Sequence, residues 1–261
     1  MNGTSLDKYL RKRNKKFDPT AIIISGIGLV SVIFTIVSYE KSAASFLDTR
    51  SLIIVFGGTL ASILFQFDLM SSLNCLKLTT QSLIKTPEKT LRNIMNQLDE
   101  AIINQLQLKD LRGGTDLNGE ILNDIVYMQT QGLLLEEIQG FVTARITDEF
   151  LDRKVAVDIL RRASIIAPAL GLFGTVMGLI GVLKTLSDPA QIGPSMSLAL
   201  MTTAYGAGLG SLVFTPLSGR LDHHNTIFLE TYEQLLNKLA IILNREERQI
   251  QQSHQPDEHP I

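Results

Sequence analysis

Charge disappears from this chain in four windows: Pro19 to Tyr39, Ser51 to Phe67, Ala163 to Leu183 and Pro189 to Gly219. At about 1.5 Å of rise per residue, each crosses, or with tilt nearly crosses, a hydrocarbon core about 30 Å thick. The second is the shortest. A single window of this kind reads equally well as a buried helix of a soluble domain. Four in one chain, with charges confined to the connections, predict four membrane-spanning helices.

The polar stretch between the second and third windows shows helical periodicity. Thr86-Pro87-Glu88 reads as an N-cap followed by proline at the first helical position. Leu91, Ile94, Met95, Leu98 and Ile102 then mark one face. Arg112-Gly113-Gly114 is expected to break that helix. A second helical stretch is expected from about Asn118 towards Arg162, with interruptions near Gly132 and Gly140. After the fourth window, Phe228, Tyr232, Leu235, Leu239 and Ile242 predict an amphipathic helix continuing that span. The end, Gln251 to Ile261, is polar and expected to be disordered. The predicted fold class is an all-α membrane protein. Its parts are a basic N-terminus (1–18), spans one and two (19–67), a helical cytoplasmic domain (68–162), spans three and four (163–219), and a cytoplasmic C-terminal helix and tail (220–261).

Basic residues set the orientation. Lys8, Arg11, Lys12, Arg13, Lys15 and Lys16 precede the first span, and Arg161, Arg162 and Arg220 flank the third and fourth. The 40–50 and 184–188 connections hold only Lys41, Arg50 and Lys184. Both termini and residues 68–162 are therefore expected to be cytoplasmic, with an uncleaved signal anchor at the start. The cytoplasmic segment carries 11 basic and 14 acidic residues. That balance does not fit nucleic-acid binding.

The third and fourth spans have an unusual composition. Gly171, Gly174, Gly178 and Gly181 share one helical face. Ala199, Thr203, Ala207 and Ser211 form an i,i+4 stripe, and Gly206 and Gly210 add a second small pair. Small residues allow close helix packing in lipid. Thr175 lies 13 residues beyond Arg162, and Thr203 lies 17 before Arg220. In antiparallel helices both hydroxyls fall about 20–25 Å from the cytoplasmic end. Pro168 and Pro216 sit close to the same two arginines. Each frees a carbonyl four residues earlier, at Ser164 and Leu212; a purely structural kink is the other reading of each.

No Asp, Glu, Lys, Arg or His lies in any window. Ion pathways in membranes ordinarily use an ionisable group, so a conducting protein of this sequence needs a partner helix to bring one. The lone Cys75 and the spacing of the four histidines do not suggest a metal site, and no nucleophile–base set suggests an enzyme.

Three stretches carry a family resemblance. They are FLDTRSLIIVFGGTLASILFQF (46–67), APALGLFGTVMGLIGVL (167–183) and IGPSMSLALMTTAYGAGLGSLVFTPLSGRL (192–221). Together they resemble the MotA/PomA subunits of bacterial flagellar stators, within the wider group that includes ExbB and TolQ. Arg50 stands where that family usually has a proline. The resemblance implies a multi-pass protein of the bacterial inner membrane and a homo-oligomer of five copies in contact with membrane lipid. Those copies would surround two MotB/PomB-type subunits, each bringing a membrane Asp. Cation flow would turn the pentamer, and the cytoplasmic domain would push on a FliG-type rotor protein. By the same resemblance, Pro168 and Pro216 match the family's functional prolines, and Thr203 matches the threonine lining the ion path. Thr175 and Thr202 match threonines typical of sodium-driven members, so Na+ is expected ahead of H+. Arg112 and Glu120 keep a familiar spacing and are candidate rotor contacts, with a solvated turn as the alternative. The acidic residue often found before the third-span proline is missing, since Ser164 and Ile165 stand there. Other readings remain: a non-flagellar motor or energiser (gliding, or ExbB/TolQ-like, although those usually have three spans), or a structural scaffold.

Overall fold

The computed structural model describes residues 24, 26–28, 30–31, 48–84, 87–108, 111 and 117–253. Every regular element among them is helical. Ile24, residues 26–28, Val30 and Ser31 are helical within the first window; the rest of that window, Thr86, Arg112 to Asp116 and the tail after Ser253 lie outside the described residues.

Helix α1 runs from Thr49 to Gln66. Asp48 caps it, its Oδ2 accepting from the Ser51 N–H at 3.0 Å. A π-helical segment interrupts α1 at Ile53–Gly57. Phe67 and Asp68 turn the chain into α2 (Leu69–Ile84), and α3 (Pro87–Ile103) opens on its proline. The break after α3 comes earlier than the glycine pair suggests. The α3 end is a Schellman arrangement in which Gln105 takes φ 54° and the Leu106 N–H reaches the Ala101 carbonyl at 3.0 Å. Glutamine in a position that favours glycine gives no sequence signal.

Helix α4 (Leu117–Thr130) closes in the same manner, with glycine: Gly132 has φ 78° and the Leu133 N–H reaches the Met128 carbonyl at 3.3 Å. The expected interruption at Gly132 is present. The one at Gly140 is absent, because Gly140 lies inside α5 (Leu135–Lys184), a continuous helix of 50 residues. At its start, the Glu137 carboxylate accepts from the Leu134 N–H at 2.9 Å. Helix α6 (Pro189–Ala207) has Asp188 as N-cap and leads into a π-helical segment (Gly208–Phe214), then α7 (Thr215–Ser253).

Two cores form along this frame. One lies between α3, α4, the start of α5 and α7, built from Leu98, Leu122, Ile125, Ile138, Val142 and the expected stripe of Phe228, Tyr232, Leu235, Leu239 and Ile242. Glu246 ties the loop after α3 to α4, accepting from the Leu108 N–H at 2.6 Å and from the Gln129 amide. The second core joins α1, α2, α5 and α7 through Ile63, Cys75, Ala156, Leu160 and Leu221. Beyond it, α5 and α6 run side by side. Three helices of the described residues, Thr49–Gln66, α5 and the run from Pro189, are long and apolar enough to cross a membrane.

Candidate functional site

The seam between α5 and α6 is nearly free of side-chain volume on the α5 side. A Cβ at Gly171 would stand 2.8 Å from the Thr202 carbonyl oxygen. At Gly174 it would be 2.5 Å from the Thr202 side chain, and at Gly178 2.6 Å from Ala199 Cβ. From the other side, a Cβ at Gly206 would stand 2.6 Å from the Ala167 carbonyl oxygen. The facing side of the seam is therefore Ser195, Ala199, Thr202 and Gly206 of α6, followed by Gly210 of the π-helical segment. The i,i+4 stripe read from the sequence splits: Ala199 is buried, whereas Thr203, Ala207 and Ser211 are exposed. A strict step of four residues drifts about 40° each time on a helix of 3.6 residues per turn. Four members cannot share one narrow seam.

The three threonines separate accordingly. Thr202 is fully buried, and its hydroxyl is within 3.0 Å of the Leu198 and Ala199 carbonyls of its own helix. It packs the seam and offers nothing to a second molecule. Thr175 and Thr203 meet across the seam edge, Oγ1 against Oγ1. Each also reaches the same two backbone oxygens. Thr175 Oγ1 lies 3.1 Å from the Gly171 carbonyl and 3.2 Å from that of Ala199. Thr203 Oγ1 lies 3.4 Å and 3.2 Å from the same pair. Four uncharged oxygens thus cluster at the edge of the seam, with Thr203 exposed. Two hydroxyl protons are shared among them, which leaves lone pairs available to a cation.

Pro168 lies inside α5 against the π-helical segment. A Cβ at Gly210 would fall 2.5 Å from Pro168 Cγ and 2.8 Å from the Ser164 carbonyl oxygen, the acceptor that Pro168 deprives of its helical donor. Pro216 is exposed, and the helix before it is widened rather than simply kinked: the Thr215 N–H and hydroxyl both serve the Gly210 carbonyl, the latter at 2.8 Å. The π-helical segments of α1 and of 208–214 gave no sign in the sequence.

A further polar set joins α1 to α6. The Asp48 N–H donates to the Tyr205 hydroxyl at 3.0 Å, and the fully buried Ser51 hydroxyl donates to Asp48. That hydroxyl holds the Asp48 carboxyl below its ordinary pKa. The sequence reading missed Tyr205 and Ser51, although Asp-x-x-Ser before an apolar run is a capping signal. Of the two candidate rotor contacts, Arg112 is outside the described residues. Glu120 lies on α4, with Arg145 Nη2 at 3.5 Å, and Arg145 Nη1 bonds Asp124 at 2.9 Å.

Residues 115–234, which include the seam and both threonines, match the model of the MotA/TolQ/ExbB proton channel family. That stretch is just under half of the chain, and over it the chain is similar to members of that family. It is similar to the chemotaxis protein PomA of Vibrio alginolyticus, 27% identical over 228 residues that make up 85% of each chain. It is also similar to motility protein A of Aquifex aeolicus, 27% identical over 82% of this chain and 88% of that one. Its fold matches the flagellar MotAB stator complex from Bacillus subtilis with a TM-score of 0.70, 17% identity, and coverage of 89% of this chain and 93% of that one. Within the MotA/TolQ/ExbB match, Thr175 and Thr203 meet side chain to side chain across the seam edge.

Proposed function

We infer that the chain is the A-type stator subunit of an ion-driven rotary motor. With a B-type subunit it forms a cation channel that turns ion-motive force into torque for flagellar rotation. The observation that carries this reading is the Thr175–Thr203 pair at the edge of a glycine seam, between two windows, 163–183 and 189–219, that hold no charge. Oxygens alone can pass a cation along, but they cannot bind and release it in step with ion-motive force. That task falls to a membrane Asp on a MotB/PomB-type partner helix.

In this reading four spans cross the bacterial inner membrane, with both termini and residues 68–162 on the cytoplasmic side. Five copies surround two partner chains. Na+ is the favoured ion, because two hydroxyls converging on two carbonyls suit a partly dehydrated alkali cation, and a proton needs no such set. Thr202 sits outside the path and sets the seam spacing. Pro168, seated against Gly210, couples movement of α5 to the widened turn before Pro216. Glu120, with Arg112, faces a FliG-type rotor protein.

Thr203→Val, close in shape, removes one oxygen from the cluster. Expressed with its partner, it should insert and assemble normally yet lose rotation and ion flux. Undiminished swimming would refute the proposed path. Motility that persists without external sodium would reject Na+ specifically. Restored ion flux without flagellar rotation would point to a motor serving another machine. A second reading, a structural scaffold, draws on the glycine seam; it requires Thr203→Val to leave all function intact.

A further inference from the structure

We propose that α2 is a membrane-surface helix whose apolar flank rests among lipid acyl chains at the boundary of the bilayer. Its position comes first. The helix begins two residues after α1, and there the Arg162 guanidinium bonds Gln66 Oε1 at 3.0 Å and lies 5.7 Å over the Phe67 ring. Near its far end the Ser82 carbonyl accepts from Arg220 Nε at 3.0 Å and Nη2 at 2.8 Å. Arg162 and Arg220 are the residues at which the uncharged windows of α5 and of the 189–219 run end. Both ends of α2 are thus tied to the same boundary. In between, Cys75 Sγ touches the Ala156 carbonyl at 3.3 Å, about 9 Å along α5 from Arg162. A helix held this way runs along the boundary rather than away from it.

The surface of α2 divides into three parts. Cys75, Thr79 and Ser82 are buried against α5 and α7. About a third of a turn away, Leu69, Leu73, Leu76 and Leu83 form an exposed stripe, 64%, 54%, 65% and 42% accessible. Another third of a turn on lie Asn74, Lys77 and Gln81, all exposed, with Met70 at the start of that flank. Four leucines and Thr80, whose hydroxyl bonds back to the Leu76 and Lys77 carbonyls, on one flank, against three polar residues and Met70 on the other, fit a helix lying with one side in the acyl region and one in water. A packing surface for a soluble partner would not need to sit between two arginines at a membrane boundary. The inference rests on membrane embedding and is independent of the ion, the partner and the rotor.

The chain contains no tryptophan, so single replacements report cleanly. Leu73→Trp, Gln81→Trp and Leu60→Trp, the last on an exposed face within α1, would be made in the full chain with its partner. Each would be reconstituted in phosphatidylethanolamine–phosphatidylglycerol vesicles containing acyl-brominated lipid. Bromine should quench Leu73→Trp several-fold more than Gln81→Trp, while iodide in the buffer shows the opposite order. Leu76→Trp repeats the test should Leu73→Trp fail to assemble. Iodide quenching of Leu73→Trp equal to that of Gln81→Trp would overturn the proposal in favour of water. A blue-shifted Leu73→Trp untouched by either quencher would overturn it in favour of protein, another copy or the N-terminal residues. Leu60→Trp separates the failures: unquenched by bromine, it removes the membrane premise itself; quenched beside an unquenched Leu73→Trp, it sinks only the assignment of α2.

Discussion

Helix α5 packs by two different rules along its length. In its first third, Ile138, Val142 and Ile146 enter a core of leucine, isoleucine and tyrosine from α3, α4 and α7. In its last third, Ala167, Gly171, Gly174 and Gly178 let α6 approach until backbone meets backbone. The difference follows from the surroundings. In water, removing aliphatic area is itself the driving force, so large side chains hold the bundle. In lipid, apolar area is already satisfied, and close contact between backbones is the remaining source of attraction. One helix therefore uses bulk where it meets water and the lack of it where it meets lipid.

The first way to break this comparison is to remove bulk from the wet end. Leu122→Ala empties a site only 2% exposed. It should cost about 2–5 kcal/mol, read as a lowered unfolding midpoint in detergent, with the threonine pair left intact. The converse is to add bulk to the dry end. In Gly206→Ala the new methyl meets a carbonyl oxygen of the facing backbone, which cannot swing aside as a side chain would. A cost of about 1–3 kcal/mol is expected. The larger consequence should be functional, because opening the seam separates Thr175 from Thr203. A stabilised protein in either case would show that the two ends do not differ as described.

Protonation probes the junction between the two regimes. Burial first, then the charges of Arg220, His223 and Arg153, push the His224 imidazole down to about 4 from its ordinary 6.5. The unfolded chain accepts a proton below about 6.5 that the folded chain refuses until about 4. Stability from this group is therefore complete above the higher value and drains away as pH falls between the two. Unfolding midpoints in detergent between pH 7 and 4 should decline more steeply for the native chain than for His224→Gln. Parallel curves would contradict this account.

Much of this organisation was legible in the sequence, for identifiable reasons. The charge-free windows of α1, α5 and the 189–219 run stand out because a charge inside lipid is costly. The Phe228 to Ile242 stripe stands out because a helix half in water must alternate faces. That Thr175 and Thr203 share a level followed from counting residues back from two arginines; that they touch did not. Other features left no trace. The end of α3 at Gln105 was hidden because a non-glycine residue adopts a positive φ there. The π-helical segments change the face that each residue presents without changing composition. The separate duties of Thr202 and Thr203 depend on about 100° of helix rotation, finer than a small-residue pattern resolves.

That last distinction yields the smallest expected effect. Thr202→Val keeps the volume facing Gly174 and removes a hydroxyl bonded only to carbonyls of its own helix. Those carbonyls keep their helical donors, so no buried group is orphaned. The change should cost under about 1 kcal/mol, in line with hydrogen bonds inside membrane bundles. Rotation should persist with at most a modest loss of speed, whereas the neighbouring Thr203→Val stops it. Swimming speeds of the two variants, matched for membrane protein level, measure how sharply the seam divides packing from passage. Equal loss in both would mean that Thr202 reaches the ion through a movement of the seam, and that the glycine contacts open during the working cycle.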